Sequence, residues 1–195
     1  MMDDKQTLDG QFLIAMPNMG DPRFERTVIY LCAHSREGAM GFVINQTMER
    51  PTLPDFLRQL SITADDEEDR MPEELRDLPL CTGGPVEPGR GFVLHSPDYE
   101  LESTVHIDDQ ISLTATLEIL RAIATGRGPE RILMVLGYSG WASGQLEEEI
   151  ASNGWLTSPA DAELLFDRAH ETKYERALRR RGINPSMLSG EAGHA

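Results

Sequence analysis

The chain is poor in cysteine, with Cys32 and Cys81 the only two in 195 residues. They make no C-x-x-C pair or repeated spacing, which excludes a disulfide framework and suits a reducing cytoplasm. Long apolar runs are missing too: nothing approaches the ~18–20 residues needed to cross a bilayer. The opening MMDDKQTLDG is acidic and has no apolar signal core, so neither export nor membrane attachment is expected. Basic residues are scarce, 18 against 33 acidic, for a net charge of −15. Nucleic-acid affinity depends on neutralising phosphates, so this balance argues against a general nucleic-acid binder. The glycines of 89–91 and 137–144 lack G-x-G-x-x-G spacing and no P-loop occurs, which removes the usual phosphate cradles.

What is present is an ordinary globular composition, 39% apolar and 26% charged, long enough for one substantial core. Its most organised stretch is 132–146, ILMVLGYSGWASGQL. Five apolar residues, 132–136, predict a strand buried on both faces. Gly137, Gly140 and Gly144 then follow around Ser139 and Trp141, the pattern of a sharp strand-to-helix turn. A helix over 145–151 ends at Asn153-Gly154. Such a turn would offer bare backbone amides at a binding mouth.

Taken in order, apolar and β-branched segments predict strands at 12–16, 27–33 and 40–45, the last two as a hairpin about Arg36-Glu37-Gly38. A short helix is expected at 55–60, further strands at 91–95 and 104–107, and a helix capped by Ser112 or Thr114 and running to about Thr125. A final amphipathic helix spans 172–181. Its Arg176, Arg179, Arg180 and Arg181 complement the helix dipole. The whole reads as an α+β protein: a single compact domain with a mixed, largely antiparallel sheet of six or more strands and three to four packed helices. Residues 1–9 form a flexible lead-in, 10–183 the domain, and 184–195 a tail. Within the domain, 64–77 sets eight carboxylates against Arg70 and Arg76, the composition of a solvated, mobile insertion.

Candidate chemistry is sparse. Gly137-Tyr138-Ser139-Gly140-Trp141 departs from the nucleophile elbow G-x-S-x-G at its last position. Among Cys32, His34, Cys81, His95 and His106 the one close pair is Cys32-x-His34, short of the C-x-x-C or H-x-x-x-H spacing that announces zinc, so no metal or other cofactor is expected. Thr82-Gly83-Gly84-Pro85 has the composition of an anion nest, and equally of a tight turn. Arg90 in the next loop could meet an acidic ligand or pair with Glu87. The candidate binding residues are therefore Gly83, Gly84, Pro85, Arg90, His95, Gly137, Ser139, Gly140, Trp141 and Gly144.

Four blocks, GQFLIAMPNMGDPRFERTVIYLCAHSREGAMGFVIN, GGPVEPGRGFVLHS, GYSGWASGQLEEEIASNGWL and LSGEAGHA, fall in the order found in the bacterial YqgE/AlgH family, which the chain resembles from about Gly10 onward. The resemblance implies one compact α/β domain in a cytosolic protein without an established enzyme activity, and part of the family name carries a role in gene regulation. The expected function is non-enzymatic binding or regulation, with a small ligand or protein partner held at the glycine-rich mouth. The alternative is an enzyme of unknown class using Ser139, His95 or Cys32. A transcriptional regulator comes third, with direct DNA contact disfavoured by charge and by the lack of a helix-turn-helix pattern.

Overall fold

The computed structural model describes residues 7–63 and 71–188. Its strands are β1 (Gln11–Ala15), β2 (Val28–Ser35), β3 (Gly38–Val43), β4 (Thr47–Met48), β5 (Leu80–Thr82), β6 (Val86–His95), β7 (Val105–His106), β8 (Ser112–Thr114), β9 (Ile132–Ala142) and β10 (Trp155–Pro159). The helices are α1 (Leu53–Gln59), α2 (Glu73–Arg76), α3 (Leu117–Ala124), α4 (Gln145–Ala151), α5 (Ala162–Phe166) and α6 (Lys173–Arg180). The sheet runs β10-β1-β2-β3-β9-β6-β8-β7, with β4 and β5 branching from it. Every pairing is antiparallel except β5 with β9. This is the α+β single domain expected, with six α-helices among the described residues rather than three or four.

The long strand β9 organises the sheet. Val135 is paired with Phe92 of β6 on one edge and with Cys81 of β5 on the other. Beyond Leu136 that second edge passes to β3, where Gly41 faces Ser139 and Gly38 faces Ala142. Alternation along β9 sends Leu133 and Val135 into one core and Met134 and Leu136 into another, as a two-sided burial requires. The first core holds Phe12, Tyr30, Phe42 and Phe92 beneath α5 and α6. The second packs Leu53, Phe56 and Leu57 of α1 and Leu120 and Ile123 of α3 against β6 and β9. The third lies under α4, where Leu146 meets Trp141, Trp155, Leu13 and Leu31.

Two local expectations are corrected. The chain does not turn at Gly137. Gly137 adopts φ +77° inside β9, which continues through Ala142, so Ser139, Gly140 and Trp141 are strand residues. The turn comes at Ser143-Gly144, and Gly144 at φ 76° is the N-cap of α4. Ser112 and Thr114 are strand residues rather than helix caps: β8 pairs with both β6 and β7, and α3 begins after Thr116. Their alternating polar and apolar order is a half-buried strand's period, which outweighs capping preference once two partner strands are available.

Of the acidic insertion 64–77, residues 64–70 lie outside the described residues, as do 1–6 and 189–195 of the termini. Over 71–77 the chain forms α2, and Met71, 2% exposed, and Leu78 are anchored in the second core. Past residue 183, Pro185–Leu188 makes a turn of 3-10 helix.

Candidate functional site

The fold brings the two glycine runs together. At the fork where β5 leaves the edge of β9 and β3 takes it over, Gly83 and Gly84 cross Gly137 and Tyr138. A Cβ on Gly83 would stand 2.3 Å from the Gly137 carbonyl oxygen, and one on Gly84 2.3 Å from the Tyr138 carbonyl. Neither approach leaves room for any side chain, so glycine is required at both places. The crossing is filled, and both backbone groups of Gly83 are used. Gly83 N–H donates to the Leu136 carbonyl at 2.8 Å, and the Gly83 carbonyl accepts from Val43 N–H at 2.9 Å. Ser139, fully buried, donates its hydroxyl to the same Gly83 carbonyl at 3.1 Å.

Backbone packed this tightly forces the neighbouring strand outward. Gly91 pairs with Leu136 and Val86 with Tyr138, so the four residues between Val86 and Gly91 have no counterpart on β9. They leave the sheet as an excursion that passes Gly137, with Pro88 Cα 3.1 Å from where a Gly137 Cβ would sit. Pro85 and Glu87 through Arg90 are exposed. The Arg90 guanidinium lies 4.9 Å over the Phe92 ring and 3.4 Å from Glu87. Beside it, half-buried Tyr138 makes an edge contact with Phe92 at 5.9 Å and covers Gly140, its ring 3.7 Å from the position of a Cβ there.

The other candidates lie elsewhere. Trp141 points to the opposite face of β9 from Tyr138 and belongs to the third core. Gly144 caps α4 on the far side of the turn. His95 pairs with Ile132 at the other end of β9, where it is wholly buried. Its Nδ1–H donates to the Ser96 carbonyl at 2.8 Å, leaving Nε2 to accept from the Thr114 hydroxyl at 2.8 Å. Burial pushes its pKa below the usual histidine value, so both nitrogens of the neutral ring are occupied. The thiol of Cys32 donates to the Met40 carbonyl, and burial pushes it up to about 12. Cys81, buried in β5, is pushed up to about 11 by the same cause. A nucleophilic cysteine needs the opposite shift.

Two constellations escaped the sequence. Ser112 Oγ lies 2.9 Å from His106 Nδ1, and His106 Nε2 lies 2.8 Å from Glu100. This has the order of a serine–histidine–acid relay, but Ser112 is 0% exposed and offers a substrate no approach. Beneath α6, fully buried Lys173 donates to the carbonyls of Ile44 at 3.0 Å and Leu165 at 2.7 Å and to His170 Nδ1 at 2.9 Å. One signal was available for the second: Lys173 stands four residues before Ala177 on the helix's apolar side. The arginines of α6 behave as a solvated face, with Arg176 paired to Asp167, Arg179 to Glu175 and Arg180 to Asp161. Among the described residues, no group of three or more His, Cys, Asp or Glu side chains is placed to hold a metal ion. No helix among them is long and apolar enough to cross a membrane.

Comparison with known proteins agrees with this architecture. A UPF0301 protein of Rhizobium etli is 60% identical over 187 residues, covering 96% of this chain and 92% of the relative. The solution structure of the AlgH protein from Pseudomonas aeruginosa superposes over the full length of both chains with a TM-score of 0.79 at 42% identity. A crystal structure of protein DIP2367 from Corynebacterium diphtheriae shares the fold, with a TM-score of 0.68 at 17% identity over 92% of this chain and 90% of that one. The sequence profile described as AlgH-like matches residues 12–186. The chain therefore belongs to the AlgH-like, UPF0301 family.

Proposed function

We propose that this protein is a non-enzymatic binding protein with a regulatory role in the cytoplasm, and that it recognises a small ligand or a protein partner at the outer lip of the glycine junction. The observation that carries this reading is the excursion of residues 87–90. The crossing of Gly83-Gly84 with Gly137 uses both backbone groups of Gly83, and what lies beside it at the surface is the bulge of β6 between Val86 and Gly91. Arg90, Glu87, two prolines and the half-buried Tyr138 ring lie together there. Both prolines reduce the freedom lost on binding. The ring and guanidinium supply the amphipathic contacts typical of recognition surfaces. The occupied hydroxyl of Ser139, the doubly bonded ring of His95 and the protonated thiol of Cys32 weigh against the catalytic alternative.

The test is amide-resolved NMR of the labelled protein against a library of small metabolites. Binders should shift the amides of Gly84, residues 87–91, Tyr138 and Gly140 together. Arg90→Ala with Tyr138→Leu should remove those shifts, the leucine keeping an apolar side chain against Phe92 so that the protein stays folded, as a melting curve checks. Shifts that avoid the loop, or that survive the double substitution, would overturn the assignment.

A further inference from the structure

A concave surface lies at the opposite end of β9 from the glycine junction. It is a cleft of about 480 Å³ between the start of β9, the helix α2 and the segment that follows α5, within the ~300–1,000 Å³ usual for ligand pockets. Leu78, Ile132 and Phe166 give it an apolar floor, and the last two are only half-buried. Three arginines line it, Arg131, Arg168 and Arg176. Arg176 is engaged by Asp167 at 3.0 Å, and Asp167 also accepts from Ala169 N–H at 2.8 Å. The Arg131 and Arg168 side chains make no ion pair with any described residue. In a chain of net charge −15, a cleft whose three arginines balance Glu130, Glu163 and Asp167, with two of those arginines outside any ion pair, is locally far less negative than the whole.

From this juxtaposition we infer that the cleft is a binding site for a small organic monoanion, a carboxylate carried on an apolar body. Arg131 and Arg168 would take the carboxylate, since the planar guanidinium fork matches two carboxylate oxygens. Phe166 and Ile132 would take the apolar body, whose burial supplies affinity that charge alone does not give at physiological salt. Glu130 and Glu163 also line the cleft. They set the selectivity, because a second or third negative group on the ligand would meet them at close range. The site thus favours one acid beside an apolar group over a polyanion.

The probe is 4-phenylbutyrate, titrated into the full-length labelled protein to about 10 mM, a range that detects millimolar affinity. It should give saturable shifts at Leu75, Leu78, Ile132, Phe166 and Arg168, distinct from the residues 84–91 and 138–140 that report on the glycine junction. Citrate and the neutral 4-phenylbutanol should bind more weakly, the first for its extra charges and the second for lacking a carboxylate. Arg131→Gln with Arg168→Gln should weaken 4-phenylbutyrate about fivefold or more, the loss expected for charge-assisted hydrogen bonds at a half-exposed site. Both arginines are exposed, and an unchanged melting temperature checks that the variant is folded. Shifts confined to other surfaces, no shift at 10 mM, equal binding of citrate, or an unweakened double variant would each overturn the inference.

Discussion

Trp141 and Trp155 donate their indole N–H groups to the same carboxylate oxygen, Glu149 Oε2, each at 2.8 Å. Their rings meet edge to face at 6.2 Å. Glu149 belongs to α4, Trp141 to β9 and Trp155 to β10, so one side chain ties a helix to two strands that are not neighbours in the sheet. Gln145 completes the arrangement by donating to the other carboxylate oxygen at 3.1 Å. Removing the acceptor leaves two part-buried donors without a partner. Glu149→Ala should therefore cost about 2 kcal/mol, or about 4–8 °C in melting temperature for a domain of this size. Glu149→Gln keeps a carbonyl acceptor and should cost less than half of that. Tryptophan emission in the folded state should respond to both variants, more strongly to the alanine. Differential scanning calorimetry with fluorescence reads both quantities.

The glycine junction orders a second set of variants. Ser139→Ala deletes one of two hydrogen bonds to the Gly83 carbonyl and should destabilise by about 1 kcal/mol, because Val43 N–H still satisfies that oxygen. Gly84→Ala meets backbone, which cannot rotate away, 2.3 Å from its new methyl carbon. It should cost about 3 kcal/mol or more, enough to appear as loss of soluble protein. Urea denaturation of the two variants side by side checks the order.

The buried pair beneath α6 sets a pH dependence. His170 is held at about 4, first by burial and then by the neighbouring Lys173 ammonium, against an ordinary value of 6.5. Between those two values the unfolded chain binds a proton that the folded chain refuses, so stability falls as pH drops through that window. Burial lowers Lys173 to about 8 from 10.5, and by the same sign stability rises again as pH climbs from 8 towards 10.5. His170→Gln keeps an acceptor for Lys173 and does not titrate. Its urea midpoint should fall less than the parent's between pH 6.5 and pH 4. Lys173→Met should abolish the alkaline rise and cost about 2 kcal/mol at pH 7 by orphaning the Leu165 carbonyl, while the Ile44 carbonyl has His170 Nδ1 at 3.3 Å as a donor.

Direct DNA contact should be weak. The net charge is −15, and three of the four clustered arginines already hold acidic partners. In a fluorescence-anisotropy titration at about 150 mM salt, duplex DNA should show no saturable binding below the micromolar range. Nanomolar, sequence-dependent affinity would instead restore a regulator that acts by touching DNA.

Much of the fold was legible because its apolar segments carry clear periods. The hairpin of β2 and β3 came from β-branched residues around Glu37-Gly38, and the first half of β9 from its unbroken apolar run. What misled was glycine. In isolation, Gly137, Gly140 and Gly144 signal a turn, and only Gly144 makes one. Gly137 lies where a second backbone crosses the strand, a requirement set by residues fifty positions away. Both glycine runs stood out by composition, but the filling of the space between them depends on the Ser139 hydroxyl and the Gly83 carbonyl, whose meeting no local pattern encodes. Met71 was hidden in the same way: one apolar side chain in an acidic stretch changes composition little, yet it anchors that stretch to the core.

The position of β9 at the middle of the sheet also governs how the chain can be assembled as it is synthesised. The edges of β3 and β6 that face β9 gain their partner only when residues 132–142 have been made, after both of those strands have left the ribosome. Until then the two open edges, bearing Phe42 and Phe92, have no strand between them. Pairings of such long sequence separation are slow to form and leave a nascent chain exposed to association with its neighbours. A chain stopped before Ile132 would carry both unpaired edges permanently, so intact folding here waits for the synthesis of β9.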